Sequence, residues 1–143
     1  MRVDFYHLTQ SSAEDAVAQI AQKALGGGQR MLVVAEGRAK LERFGEALWA
    51  REGTFLANGV AGGVHDQRQP VLLSEQVEPA NGAQILALAD GEWRESDGFS
   101  RVLFFFDGST IEPARARWRE LKAREGAECH YWKQEGGRWI EAG

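Results

Sequence analysis

Three short runs with no polar interruption constrain this chain more than anything else in it: Met31-Leu-Val-Val-Ala35, Ile85-Leu-Ala-Leu-Ala89 and Val102-Leu-Phe-Phe-Phe106. A strand with one wet face alternates apolar and polar residues, whereas a strand covered on both faces does not have to. Runs this short and this continuous therefore predict central strands of a largely parallel sheet, sandwiched between helices. The segments between them supply the helices. Ser11 or Ser12 can cap a helix that buries Ala16, Ile20 and Ala24 and stops at Gly26-Gly-Gly28. A second helix, from about Arg38 to Ala50, spaces Gly37, Leu41, Phe44 and Leu48 for the core. Arg2-Val-Asp-Phe-Tyr-His-Leu8 reads as a further strand, and Cys129–Lys133 with Arg138–Ile140 flank Gly136-Gly137 as a terminal hairpin. Residues 57–70 and 90–100 are rich in Gly, Asn and Asp and read as loops. The expectation is one α/β domain over 1–143: an open, mostly parallel, Rossmann-like sheet with helices on both faces and a C-terminal hairpin.

Charge narrows the function. The 143 residues carry 17 Lys and Arg against 21 Asp and Glu, a net charge of −4, so the surface as a whole is no nucleic-acid footprint. One local exception stands out. Glu112-Pro-Ala-Arg-Ala-Arg-Trp-Arg-Glu-Leu-Lys122 reads as a helix with Pro113 in its first turn, where a missing N–H costs nothing. Ala114, Trp118 and Leu121 share its core face, and Arg115, Arg119 and Lys122 form a stripe beside it with Trp118 on the border. Positive charge next to an aromatic suits a ligand that is both anionic and apolar. That points to a binding module. A single cysteine, Cys129, excludes an internal disulfide. No apolar run reaches the roughly 18–20 residues of a membrane span and no signal-peptide pattern opens the chain, which together point to the cytoplasm.

Enzymatic signals are thinner. Gly26-Gly-Gly28 precedes a strand and lacks the Gly-Lys-Ser/Thr ending of a phosphate loop, and Asn58-Gly-Val-Ala-Gly-Gly63 has neither a lysine nor a helix after it. His7, His65 and His130 lack metal-ligand spacing with Cys129, and no nucleophile elbow or activated Cys/His pair is present. Glu36, Asp90 and Asp107 each follow one of the apolar runs, where open sheets bind ligands. Such carboxylates can hold Mg²⁺ for phosphotransfer, and Val34-Ala-Glu-Gly37 looks a little like the start of a toprim nuclease domain. That family needs an Asp-x-Asp pair, and Asp107-Gly-Ser109 supplies one carboxylate. Acidic-Gly pairs are also ordinary exits from strands into turns. No catalytic residue, metal or cofactor is assigned. Trp49 lies about 80–100° off the core stripe of its helix, either packed under the following loop or exposed as a partner anchor, with Phe55 close behind it.

Phe5-Tyr6, Glu46-Ala-Leu-Trp-Ala-Arg51, Phe55, Pro70-Val-Leu-Leu73 and Ala114-Arg-Ala-Arg-Trp-Arg119 together resemble the chi subunit of the bacterial DNA polymerase III holoenzyme. The resemblance runs from Val3 to about Trp132, and Ala-Leu-Trp-Ala-Arg is its most specific piece. It implies a non-catalytic accessory subunit of the clamp-loader assembly, a monomer or a 1:1 heterodimer. Such a subunit binds the acidic, phenylalanine-ended C-terminal tail of single-stranded DNA-binding protein and, separately, the psi subunit. It implies no sequence-specific contact with nucleic acid. Carried over by position, Arg115 matches the tail-binding arginine of the family, Trp118 an aromatic and Arg119 a lysine. Lys122 completes the basic stripe. Ile111 stands one turn earlier, where the family can carry another lysine. Trp49 and Phe55 match aromatics of the psi-facing surface.

Overall fold

A computed structural model describes residues 1–50 and 57–142. The strands are β1 (Arg2–His7), β2 (Met31–Val34), β3 (Asn58–Val60), β4 (Val71–Ser74), β5 (Ile85–Leu88), β6 (Arg101–Phe106), β7 (Glu128–Glu135) and β8 (Arg138–Glu141). The helices are α1 (Ala13–Gly26), α2 (Arg38–Trp49) and α3 (Ile111–Ala123). The strands form one sheet in the order β3-β4-β2-β5-β6-β1-β7-β8. Every pairing is parallel except the closing β7–β8 hairpin. The three apolar runs become β2, β5 and β6, which sit side by side in the middle and are buried along almost their whole length.

Each face of the sheet has its own core, because successive side chains of a strand point to opposite sides. One core gathers Met31, Val33, Ile85, Ala87, Leu103 and Phe105 beneath α1 and α2. The other gathers Leu32, Val34, Leu86, Leu88, Phe104 and Phe106 beneath Ala114 and Leu121 of α3. Helices therefore cover both faces. Ser12 caps α1, its hydroxyl accepting from the Asp15 N–H, and Gly27 closes the helix. At Gly37, with φ of 102°, the backbone turns in the left-handed region between β2 and α2, which a residue with a Cβ enters only with strain. Gly37 thus caps α2 from outside instead of packing within its stripe.

One expectation needs correction. The 57–70 segment is not a loop throughout: Asn58–Val60 pairs in parallel with Val71–Leu73 as an edge strand, and Asp66–Arg68 forms a 3₁₀ turn. Residues 90–100 do run without helix or strand.

Candidate functional site

Alternation along β7 places Cys129 and Tyr131 toward α3 and His130 and Trp132 toward the other face. Since β7 pairs with β1, Tyr131 comes to rest beside α3 although it lies well along the chain from Arg115. A cleft of about 310 Å³ opens there, lined by Ala114, Arg115, Trp118, Tyr131 and Ala142. Ala142 is drawn in by its N–H, which donates to the Tyr131 carbonyl at 2.7 Å. The indole of Trp118 is fixed edge-on between Phe5, 5.2 Å away, and Tyr131, 5.7 Å away. Lys122 puts its ammonium 5.4 Å from the centre of the same ring, a cation–π contact, so it caps Trp118 without lining the cleft.

Arg115 is the cation of the cleft. Its side chain is 57% exposed and, among the described residues, pairs with Glu112 alone, at 3.1 Å one turn earlier. Arg119 is exposed and has no ion pair among the described residues. Behind the cleft the Tyr131 hydroxyl lies 3.1 Å from Nδ1 of His7, and the His7 ring stacks on Phe106 at 4.9 Å. Burial, with the Arg115 charge adding to it, lowers the His7 pKa, so the ring is neutral at pH 7. Burial likewise raises the Tyr131 phenol, against the pull of Arg115. The cleft is thus an arginine fork opening onto two aromatic surfaces, with a neutral histidine behind Tyr131.

The structure unites Arg115 and Trp118 in one cleft, and neither Arg119 nor Lys122 lines it, although Lys122 caps the Trp118 ring. It adds Tyr131 and Ala142, which helix periodicity alone could not reveal. Trp49 lies elsewhere, at the C-terminal end of α2, and is 53% exposed, so it is not core. Phe55 falls outside the described residues.

Two of the strand-end carboxylates, Asp90 and Asp107, have other occupations. Asp90 is 3% exposed and takes both N–H groups of the Arg94 fork at 2.8 Å, together with the Glu36 backbone N–H at 2.9 Å. Burial alone would raise its pKa, but the Arg94 and backbone bonds outweigh that and lower it. Asp107 accepts from the N–H and hydroxyl of Ser109, which closes the turn into α3 and lowers its pKa too. No three metal-ligating side chains converge among the described residues.

With this geometry in view, the family of the DNA polymerase III chi subunit, HolC, matches residues 1–128. The chain belongs to that family. None of the curated proteins matches it significantly. Membership makes this a subunit of the replicative DNA polymerase III assembly, and no described helix is long and apolar enough to cross a membrane. The family match takes in α3 with all of its cations and ends as β7 begins, so Tyr131 and Ala142 lie just beyond it.

Proposed function

We propose that the chain is a non-catalytic adaptor of the replisome, in the cytoplasm, whose α3–β7 cleft binds the acidic C-terminal tail of single-stranded DNA-binding protein. The observation that carries the reading is the cleft itself, which sets the Arg115 guanidinium beside the Trp118 and Tyr131 rings. A tail of this kind ends in a phenylalanine carboxylate preceded by aspartates. The forked guanidinium can grip the terminal carboxylate with two parallel bonds, which a lysine could not do. The phenyl ring then has Trp118 and Tyr131 to pack on. Arg115 must leave Glu112, but an exposed pair of that spacing is worth only about 0.3–0.5 kcal/mol. A charge-assisted bond in its place contributes about 1.5–3 kcal/mol. Exchange is favourable. Arg119 and Lys122 attract the aspartates at longer range, which speeds encounter and makes binding salt-sensitive.

The second contact of the adaptor is the Trp49 surface, more than half exposed at the end of α2. An aromatic left in water at a helix end suits an anchor for another protein, and we assign it to psi or the clamp loader, with Phe55 contributing. The function is tested by calorimetric titration with a synthetic tail peptide and with the same peptide amidated at its C-terminus. Binding of the free-acid peptide, weakened by roughly tenfold or more on amidation, is the expected result. Equal binding of both would remove the carboxylate-clamp reading.

A further inference from the structure

On the opposite face of the sheet a larger cleft, about 570 Å³, lies between α1 and the β7–β8 hairpin. Four cations from four different elements line it: Arg2 of β1, Lys23 of α1, Arg101 of β6 and Arg138 of β8. In a chain of net charge −4 this cleft has no carboxylate on its lining. Beneath its floor lies Asp4, wholly buried, which accepts from Arg101 at 2.7 Å, Arg2 at 3.1 Å and the Trp132 indole N–H at 2.8 Å, and Glu128 adds a weaker attraction on Arg2. Asp4 fixes both guanidiniums in place and offsets one positive charge. Lys23 and Arg138 have no ion pair among the described residues, so they stay available to a ligand.

The cleft is also aromatic. Tyr6 stacks between Phe105 and Trp132, and Trp139 meets Tyr6 edge-on at 5.0 Å. Both indole N–H groups are satisfied from within, Trp132 by Asp4 and Trp139 by Gln19, which leaves the rings to offer apolar surface. Distributed cations with aromatic faces between them form the general pattern that holds single-stranded nucleic acid: phosphates follow the charges and unpaired bases stack on the rings. A single carboxylate would use one of the four cations. A repeating phosphate chain can use both Lys23 and Arg138 and still gain from the net charge of the Arg2–Arg101–Asp4 cluster.

We propose that this cleft binds single-stranded DNA, with phosphates on the uncommitted Lys23 and Arg138, the Asp4-bound Arg2–Arg101 pair adding net positive charge beside them, and a base against Trp139. The site is independent of the α3–β7 cleft. Its hairpin half, including Trp132, Arg138 and Trp139, lies beyond residue 128, where the family match ends.

The test is fluorescence anisotropy of the full chain with a labelled oligothymidylate of roughly 15 nucleotides, at low and at moderate salt. Binding is expected at low salt and should weaken as salt rises. Lys23→Glu and Arg138→Glu, both surface changes, should each lower affinity about tenfold or more while leaving tail-peptide binding unchanged, whereas Arg38→Glu on remote α2 should have little effect. Trp139→Ala should lower affinity by about fivefold to a hundredfold, with circular dichroism reporting whether the fold survives. Several results overturn the proposal: no binding at low salt, equal affinity for a duplex of the same length, an equal loss from Arg38→Glu, or a thymidine monophosphate that binds as tightly as the oligomer. Displacement of the oligomer by the acidic tail peptide would instead make this a second peptide site, and would overturn it as well.

Discussion

The two flanks of α3 carry the same residue type and put it to opposite uses. On one flank Arg117 and Arg124 are tied down: Arg117 pairs with Glu120 at 3.0 Å and reaches Glu95 and the Trp93 ring, and Arg124 bridges the same two glutamates. On the other flank Arg115 has one exposed partner and Arg119 has none among the described residues. The tied flank pins the 90–100 segment to the helix. The free flank faces a cleft with two aromatic rings. Charge alone does not mark a binding site. What marks it is charge that the fold has left uncommitted, next to apolar surface.

The same distinction holds between Asp4 and the ligand-facing cations, and it can be pressed hardest at Asp4. Breaking a buried ionic cluster by removing one member strands its partners, which costs about 3–5 kcal/mol. Asp4→Ala should therefore lose stability on that scale in urea denaturation, because Arg101, Arg2 and Trp132 all donate to this one carboxylate. Burial raises the Asp4 pKa, but those bonds outweigh it and the net shift is downward. A carboxyl lowered in the folded state adds stability above its unfolded pKa of 3.8 and loses it as pH falls through the folded value. Acid should thus erase the difference between wild type and variant. A variant as stable as wild type at neutral pH would place Asp4 among the uncommitted charges.

Asp90→Ala comes next, with a loss of roughly 1–3 kcal/mol for the stranded Arg94 fork and Glu36 N–H. Thermal unfolding with and without Mg²⁺ checks it. No magnesium-dependent stabilisation is expected in wild type, and a clear rise in Tm that Asp107→Ala abolishes would restore a metal role for the strand ends.

Local features of the sequence carry part of this fold, and contacts between distant segments carry the rest. Apolar continuity was enough to place β2, β5 and β6, and cap chemistry placed α1 between Ser11 or Ser12 and Gly26–Gly28, because both are local properties. β3 escaped because two of the three residues in Asn58-Gly-Val60 disfavour a strand, and the segment is held by its pairing with β4. Arg115 and Trp118 were visible from helical spacing. Tyr131 was not, since it reaches them only through the parallel register of β7 on β1. Asp4 and Arg101 remained separate residues in the sequence for the same reason: their meeting needs β1 and β6 side by side, from positions 97 apart along the chain.

Trp49→Ala should change stability by no more than about 0.5 kcal/mol, as expected of an exposed position, while lowering retention of clamp-loader partners in a pulldown. Loss of the fold would return Trp49 to the core, and unchanged retention would end its role as an anchor.

The smallest effect concerns the hairpin. His130 is held by Glu141 at 2.6 Å and by Glu128 at 2.8 Å, and these bonds raise its pKa above the ordinary 6.5. A histidine raised in the folded state contributes its stability fully below 6.5 and loses it as pH climbs through the folded value. An NMR titration should find His130 above 6.5 and Glu141→Gln should bring it down. A His130 that titrates at or below 6.5 in wild type would mean that the clasp is absent in solution.

The two flanks of α3 are compared most directly by titrating the tail peptide into Arg115→Ala and Arg124→Ala side by side. Arg115→Ala should lose affinity by roughly tenfold or more, the scale of a charge-assisted bond of about 1.5–3 kcal/mol, and Arg124→Ala, whose arginine already serves Glu95 and Glu120, should lose little. Equal small losses from both would show only nonspecific attraction to a basic helix, and would contradict the assignment of the cleft.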